Sequence, residues 1–408
     1  MKIEIPGLRT DRPRVGAILI VVMVTLIFAA TALIAFLDQA TNDLLVDSRV
    51  AVANRLRPDA YSGLEVALAV LEDFRAADQG LHSPGEGWGS HEAWGNLFNL
   101  PWVQWKPADG NTVDLSFSDE SGKISLSRVL KDPTTAAAML TLFQNWGLSQ
   151  DNAEHLVDVL MSWMSSNPAG LPSVAPPPDY EDDPIPYDPP DRPLRSYGEL
   201  AAIDYAKDIF YDSAGRPTDL FWRFVSDFSL FNYGAPDVNG ANADVLAALG
   251  QFTPQQIQNI ADFKAMKGDF VVPSPLGAQW FTSTQQLAQA AGPGGQPGEF
   301  GTSISALRID VTVHKGSNVF RLEAIVAPQG GAKTVLTTAT DGRKNSSAAQ
   351  NGETTTNVQP IGKTGPTTTP NNSQASAAAG SNIQFPFTVL EIRENDEILM
   401  PPAQPVPP

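Results

Sequence analysis

Ala17–Leu37 reads AILIVVMVTLIFAATALIAFL, 21 consecutive residues without a charged side chain. As a helix rising about 1.5 Å per residue, such a run is long enough to cross the hydrocarbon core of a bilayer. In front of it, Lys2, Arg9, Arg12 and Arg14 outnumber Glu4 and Asp11. The excess of positive charge predicts a cytoplasmic N-terminus, with the rest of the chain on the far side of the membrane.

Beyond the apolar run, Asp38–Arg57 (DQATNDLLVDSRVAVANRLR) holds neither Gly nor Pro, and Leu44, Leu45, Ser48, Val52 and Leu56 fall near helical spacing. The helix is therefore expected to leave the membrane and continue. Pro58 predicts a kink, and Asp59 can cap a second stretch through Phe74, giving a stem of about 60 residues. Three readings of the leader stand side by side. Ala30-Thr31-Ala32 is a small-x-small pattern of the kind a signal peptidase cuts, with Leu33 as mature start, although the apolar run is long for a signal peptide. The run can equally be the permanent anchor of an unrelated exported protein. Finally, Gly16 closes a short basic leader directly against the apolar stretch, which resembles the substrates of prepilin peptidase; cleavage would fall between Gly16 and Ala17 and leave the helix on the mature protein.

Composition narrows the function classes. The 408 residues are 42% hydrophobic and 18% charged, enough for one or two cores besides a membrane segment. A net charge of -18 argues against a nucleic-acid footprint, and Asp132–Asp191 contains carboxylates but no Lys or Arg. The absence of cysteine excludes thiolate catalysis, Cys-ligated zinc and disulfides.

Several blocks along the chain are similar to the general secretion pathway protein K family, the minor pseudopilins of type II secretion systems. Asp119-Glu120-Ser121-Gly122-Lys123-Ile124-Ser125-Leu126 resembles the family's acidic Ser-Gly-Lys-Ile turn, with Ser125 where asparagine is usual. Pro186–Leu194 followed by Glu199-Leu200 resembles its proline-rich loop. Asp237–Leu246 (DVNGANADVL) resembles its asparagine turn before a helix, and Gln279-Trp280-Phe281 with Gln286-Leu287 its Phe-containing motif. Pilins usually carry glutamate as the fifth mature residue, where it meets a neighbour's N-terminal ammonium; here that position is Val21. An unpaired carboxylate at membrane depth is costly, so its absence resembles a subunit with no neighbour above it, at the tip of the fibre.

The fold class implied is α+β: a long N-terminal transmembrane helix, a small pilin-like antiparallel sheet, and a large inserted α-helical domain containing helical hairpins. Residue chemistry gives the same parts. Thr134–Trp146 and a Ser149-capped helix through Trp163 form one hairpin around Gly147; Asn242–Leu249 and Thr253-Pro254 to Lys267 form another around Gly250. Thr112–Phe117, Leu307–Val313 and Val319–Val326 alternate as strands, the last two flanking a His-Lys-Gly-Ser-Asn turn, and Phe385–Ile392 reads as a closing strand. The expected partition is a leader over 1–16, a transmembrane and assembly helix over 17–57, and a pilin-like part over 58–130. The inserted α domain takes 131–299, a β hairpin 300–327, a disordered insertion 328–382, the closing strand 383–394 and a tail 395–408.

Asp179, Glu181, Asp182, Asp183, Asp188 and Asp191 crowd a proline-rich loop with hard oxygen donors of the kind calcium takes. The resemblance implies calcium in this neighbourhood, with Glu181, Asp182, Asp183 and Asp188 as candidate ligands; a solvated acidic loop is the alternative. Ser162-Trp163-Met164-Ser165-Ser166 replaces an aspartate-rich segment of the family and removes donors. No catalytic residue is expected: His82, His91, His155 and His314 lie singly. Trp88, Trp94, Trp102 and Trp105 are expected as core or contact aromatics, with a carbohydrate platform as the rival.

The resemblance thus implies a minor pseudopilin that caps the tip and primes assembly of a periplasmic pseudopilus. It would sit in the bacterial inner membrane by a single span, with its C-terminal domain in the periplasm. Its partners would be other minor pseudopilins, the inner-membrane platform and prepilin peptidase. The rivals are a type IV pilus minor pilin and an inner-membrane-anchored periplasmic enzyme or carbohydrate-binding protein.

Overall fold

A computed structural model describes residues 15–89, 94, 107, 110–165, 180, 187–268, 278–335 and 386–401. It shows an α+β chain whose first element, α1, is a single helix from Val15 to Asp78, 64 residues long. The helix runs on through Pro58, where a kink and a fresh start were expected. Pro58 is exposed, and the carbonyl it leaves without a partner, that of Asn54, belongs to an exposed residue, so water satisfies it. Asp59 caps nothing; its carboxylate accepts a 2.6 Å hydrogen bond from Asn111 Nδ2.

Among the described residues the strands are β1 (Thr112–Asp119), β2 (Ile124–Ser125), β3 (Phe228–Ser229), β4 (Leu307–Lys315), β5 (Asn318–Pro328) and β6 (Phe387–Glu394). Four of them form one antiparallel sheet in the order β1-β4-β5-β6, and β2 pairs with β3 in a separate parallel ladder. The β4–β5 hairpin closes over Gly316, whose φ of +60° sits in the left-handed region that a tight turn needs.

The second half of α1 lies on this sheet. Leu56, Ala60, Leu64, Ala67, Leu71 and Phe74 recur at helical spacing and are buried against Leu307, Ile309, Val311 and Val313 of β4 and Phe320, Leu322, Ala324 and Val326 of β5. Gly63 lets the helix approach: a Cβ there would stand 3.2 Å from both Val113 Cγ1 and Val311 Cγ1. The opposite face of β5 is also covered. Ile325 and Ala327 pack with Phe231, Tyr233, Ala306 and Ala332, so β5 is apolar on both sides where β1, at the sheet edge, has no buried residue.

Between β1 and β4 stands a helical domain with its own core. Its hairpins are α2 (Pro133–Asn145) with α3 (Gln150–Met164), and α5 (Ala243–Gly250) with α6 (Pro254–Lys264); α4 (Asp219–Asp227) lies between them and α7 (Thr284–Ala291) follows. Ser149 caps α3, and Thr253 and Gln256 form a capping box on α6. Gly250 acts by size: a Cβ would fall 2.5 Å from the Phe252 ring and 2.8 Å from that of Phe300, while the left-handed residue that ends α5 is Gln251. Phe143, Phe210, Phe221, Phe224, Phe228 and Phe281 fill the centre of this domain.

The insertion expected from 328 begins later. Asn232 and Lys333 exchange backbone hydrogen bonds of 2.8 and 2.9 Å, and Ala332 and Val335 are buried, so the folded part reaches 335. A segment poor in large apolar residues is held there because Phe231 and Leu390 supply the apolar cover that it lacks. Residues 336–385 and 402–408 lie outside the described residues. The start of the expected tail is folded too: Asn395–Glu397 makes a helical turn and Leu399 packs on the helical core.

Candidate functional site: an uncovered helix and a polar knot between sheet and helical domain

Among the described residues, the stretch of α1 from Ile20 to Leu44 has no cover from the rest of the chain. From Ile20 to Leu44 the helix is long and apolar enough to cross a membrane, and none of it is buried within the protein. Ile20, Val24, Ile27, Phe28, Leu33 and Phe36 are all more than half exposed. Thr25 and Thr31 return their hydroxyls to carbonyls one turn back, so the two hydroxyls within the charge-free run are satisfied by the helix itself. Val21, the position without glutamate, is 61% exposed on this bare surface. Gly16 and Ala17 lie in the first turn of the same helix.

The acidic loop is described only at its edges. Glu181, Asp182 and Asp183 lie outside the described residues, and Asp188 is exposed. Among the described residues no group of three or more His, Asp or Glu side chains could hold a metal, and Asp188 alone is not a donor set. The two edges are held together by aromatic contacts. Tyr180 packs on Trp163 at 5.5 Å and on Tyr187 at 4.9 Å between ring centroids.

The tryptophans divide likewise. Trp88 and Trp94 are wholly buried, their rings 5.7 and 5.8 Å from Phe117, and the indole N–H of Trp94 donates to the Trp88 carbonyl at 2.8 Å. They are core, with no face free for a sugar. Trp102, Trp105 and His91 lie outside the described residues. His82 is held by the Thr302 carbonyl, His155 meets Tyr205 edge to face at 4.3 Å, and His314 Nε2 is 3.3 Å from Asp114 Oδ2. These three do not converge.

Three of the sequence blocks singled out above do converge, where the end of β1 meets the helical domain. The Asp119–Ser121 turn, the Asp237–Gly240 turn and Phe281 form one knot. Asp237 N donates to the Ser121 carbonyl at 2.9 Å. The N–H groups of Glu120 and Ser121 donate to the Ala306 carbonyl, and Ser305 N donates to Ser121 Oγ at 2.8 Å. Asn239 ties in the third block: its Oδ1 accepts from Phe281 N at 2.7 Å, and its Nδ2 donates to the carbonyls of Phe281 and Thr302. The turns touch so closely that a Cβ on Gly122 would stand 2.3 Å from the Gly240 carbonyl carbon, and one on Gly240 would stand 2.1 Å from Asp119 Oδ2. Gly122 is thus required by the approach of backbone to backbone, and Gly240 by the Asp119 side chain packed against it.

Beside the knot lies a buried ion network. Glu120, 1% exposed, is met by Lys123 Nζ at 2.8 Å and Arg308 Nη2 at 2.9 Å; Arg308 also reaches buried Glu323, which Arg393 approaches at 3.8 Å. Burial works to raise the pKa of Glu120, but Lys123 and Arg308 overcome it and hold the pKa below the usual value. Burial likewise works against the charge of Arg308, and Glu120 and Glu323 more than offset it. Neither the network nor the meeting of the two turns could be read from spacing. The signal present in sequence was two Gly-containing acidic motifs far apart in the chain.

Comparison with known proteins decides the family of this region. Residues 96–213 match the family described as type II secretion system (T2SS), protein K. That segment, rather than the whole chain, is what is similar to protein K. The matched segment takes in the last part of the tryptophan stretch, β1, the Asp119–Leu126 block, the first hairpin and the acidic loop. Protein K is a structural pseudopilin of the secretion system, not a family of enzymes. One solved structure is similar over much of the chain: "The Crystal Structure of the GspK-GspI-GspJ complex from enterotoxigenic Escherichia coli Type 2 Secretion System", at 12% identity and a TM-score of 0.45, covering 69% of this chain and 92% of that one. A likeness so loose carries no assignment of its own. No curated protein matches the chain.

Proposed function

We propose that this chain is a minor pseudopilin of a type II protein secretion system, cut between Gly16 and Ala17, anchored in the bacterial inner membrane by α1 with its globular part in the periplasm. The observation that carries the reading is the union, in one chain, of the protein K segment at 96–213 with a helix that leaves a full membrane span without protein cover. In lipid, such a helix gains from packing against others of its kind through close van der Waals contact. The partners proposed are therefore the apolar helices of other minor pseudopilins, with the inner-membrane platform and prepilin peptidase as the machinery that receives and processes the chain. Val21 suits a terminal position, since no carboxylate there awaits a neighbour's amine. The helical domain, standing off the far end of the sheet, would crown the tip and prime growth of the fibre. For calcium, the support is the acidic composition of Asp179–Asp191 and the family resemblance.

Because the chain has no cysteine, the helix surface can be mapped with single replacements. Val21→Cys, Val24→Cys, Ile27→Cys and Thr31→Cys variants, expressed with cysteine-bearing pseudopilins in intact membranes and oxidised, should cross-link with helical periodicity. A set in which no position cross-links to any pseudopilin would contradict helix packing as the mode of assembly.

A further inference from the structure

The knot between sheet and helical domain contains an electrostatic conflict. Asp119 Oδ1 accepts from the N–H and the hydroxyl of Ser121, each at 2.7 Å, and Asp237 Oδ1 accepts from Asn239 N and Nδ2 at 3.1 and 3.2 Å. The two remaining oxygens, Asp119 Oδ2 and Asp237 Oδ2, are shut away from water and receive no donor from any other group. The turns that carry them dock on each other, with Asp237 N donating to the Ser121 carbonyl and Gly240 closing on Asp119 Oδ2, so the two carboxyls face one another. Two carboxylates cannot do so without something positive between them, because like charges out of water repel and each loses its hydration.

The surroundings select what that is. Glu120 adds negative charge beside Asp119, while its own partners are Lys123 and Arg308. Lys264 faces the pair from α6, with its ammonium donating to the Asn239 carbonyl at 3.2 Å. His82 reaches the neighbouring Thr302 carbonyl. One half-buried cation, Lys264, therefore stands against two carboxyls, which leaves one negative charge to be cancelled. A divalent ion would bring more charge than that and would find only the two free oxygens, short of the six or more that calcium takes. A proton supplies a single charge and a single bond.

We propose that Asp119 and Asp237 share one proton, donated by Asp237 to Asp119 Oδ2, and that this proton latches the sheet to the helical domain. The latch joins the end of β1 to the turn before α5, across the tight Gly122–Gly240 contact, so its loss places two charges where the backbones cannot separate without breaking the knot. Burial pushes the Asp119 carboxyl up to about 6, against hydrogen bonds from Ser121 and Asp237. Asp237 is raised further by burial and by the charge of Asp119. Both folded values lie above the unfolded one, so the stabilisation is full below about pH 4; as pH rises through about 6 Asp119 ionises and one shared proton remains, and the latch is lost only when Asp237 gives that proton up at higher pH.

The test uses the full chain in detergent, with the wild type beside Asp237→Asn and Asp237→Ala. Asparagine donates its amide where the acid donated its proton, so Asp237→Asn should fold with at least wild-type stability at pH 8 and, as pH rises above 6, lose about tenfold less of its folding constant per pH unit than wild type. Asp227, also pushed up to about 6 by burial, titrates in both proteins and cancels in the comparison. Asp237→Ala, which removes the donor, should be destabilised throughout. Carboxyl NMR of the wild type at pH 7 should show one protonated aspartate that is missing in Asp237→Asn and unmoved by a chelator. An Asp237→Asn protein as weak as Asp237→Ala, an unchanged pH slope, or a carboxyl signal that responds to chelation would each overturn the proposal, the last in favour of a bound cation.

Discussion

Arg308→Ala is expected to destabilise the full chain by about 3–5 kcal/mol, because it removes a counter-charge that two buried carboxylates share. Glu120 is 1% exposed and Glu323 3% exposed; Glu323 takes its closest bond, and Glu120 one of its two ion pairs, from this one guanidinium on β4. Lys123 remains for Glu120, but Arg393 stands 3.8 Å from Glu323, too far to replace the lost hydrogen bond. The effect should fall on the join between sheet and helical domain, since Glu120 opens the turn that enters that domain and Glu323 lies on the β5 face turned towards it. Urea denaturation of wild type and variant reads the loss. The triple variant Arg308→Met, Glu120→Gln, Glu323→Gln should recover much of it, because no charge is then left buried alone.

Trp88→Ala should cost about 3–5 kcal/mol, the usual range for removing a large aromatic from a packed core. Trp88 is wholly buried, meets Phe117 edge to face, and donates its indole N–H to Glu86 Oε2 at 2.7 Å. Burial already raises the Glu86 carboxyl above its usual value, with the Trp88 bond opposing the rise, so the variant adds an unsatisfied buried acid to the cavity. Denaturation midpoints measure this directly. Retention on carbohydrate columns should be the same for both proteins; a variant of native stability with altered retention would return the tryptophans to a binding role.

Much of this architecture was legible in the sequence because it rests on local chemistry. The charge-free run from Ala17 to Leu37 could only be an exposed helix or a membrane span, and the strands of the sheet announced themselves by alternation with one face towards α1. Ser149, Asn242 and Thr253 mark the starts of their helices because a side-chain oxygen there satisfies a backbone N–H of the first turn. Pro58 misled for a local reason as well: its propensity to break a helix is offset where the freed carbonyl faces water and the flanking turns are held by packing on β4 and β5. Residues 328–335 read as unable to order themselves, and by themselves that is correct; their cover comes from Phe231 and Leu390, remote in the chain. The Asp119–Asp237 pair was beyond sequence reading for the same reason. Each aspartate looked like an ordinary turn residue, and only the fold sets one against the other.

The central claim, that α1 is a pseudopilin assembly helix, is tested most directly by the N-terminus of the mature protein. Mass spectrometry of the membrane fraction, with and without the host's prepilin peptidase, should find Ala17 as the first residue only when the peptidase is present. A mature start at Leu33, or an intact Met1 in both strains, would contradict it and leave a secreted or merely anchored protein.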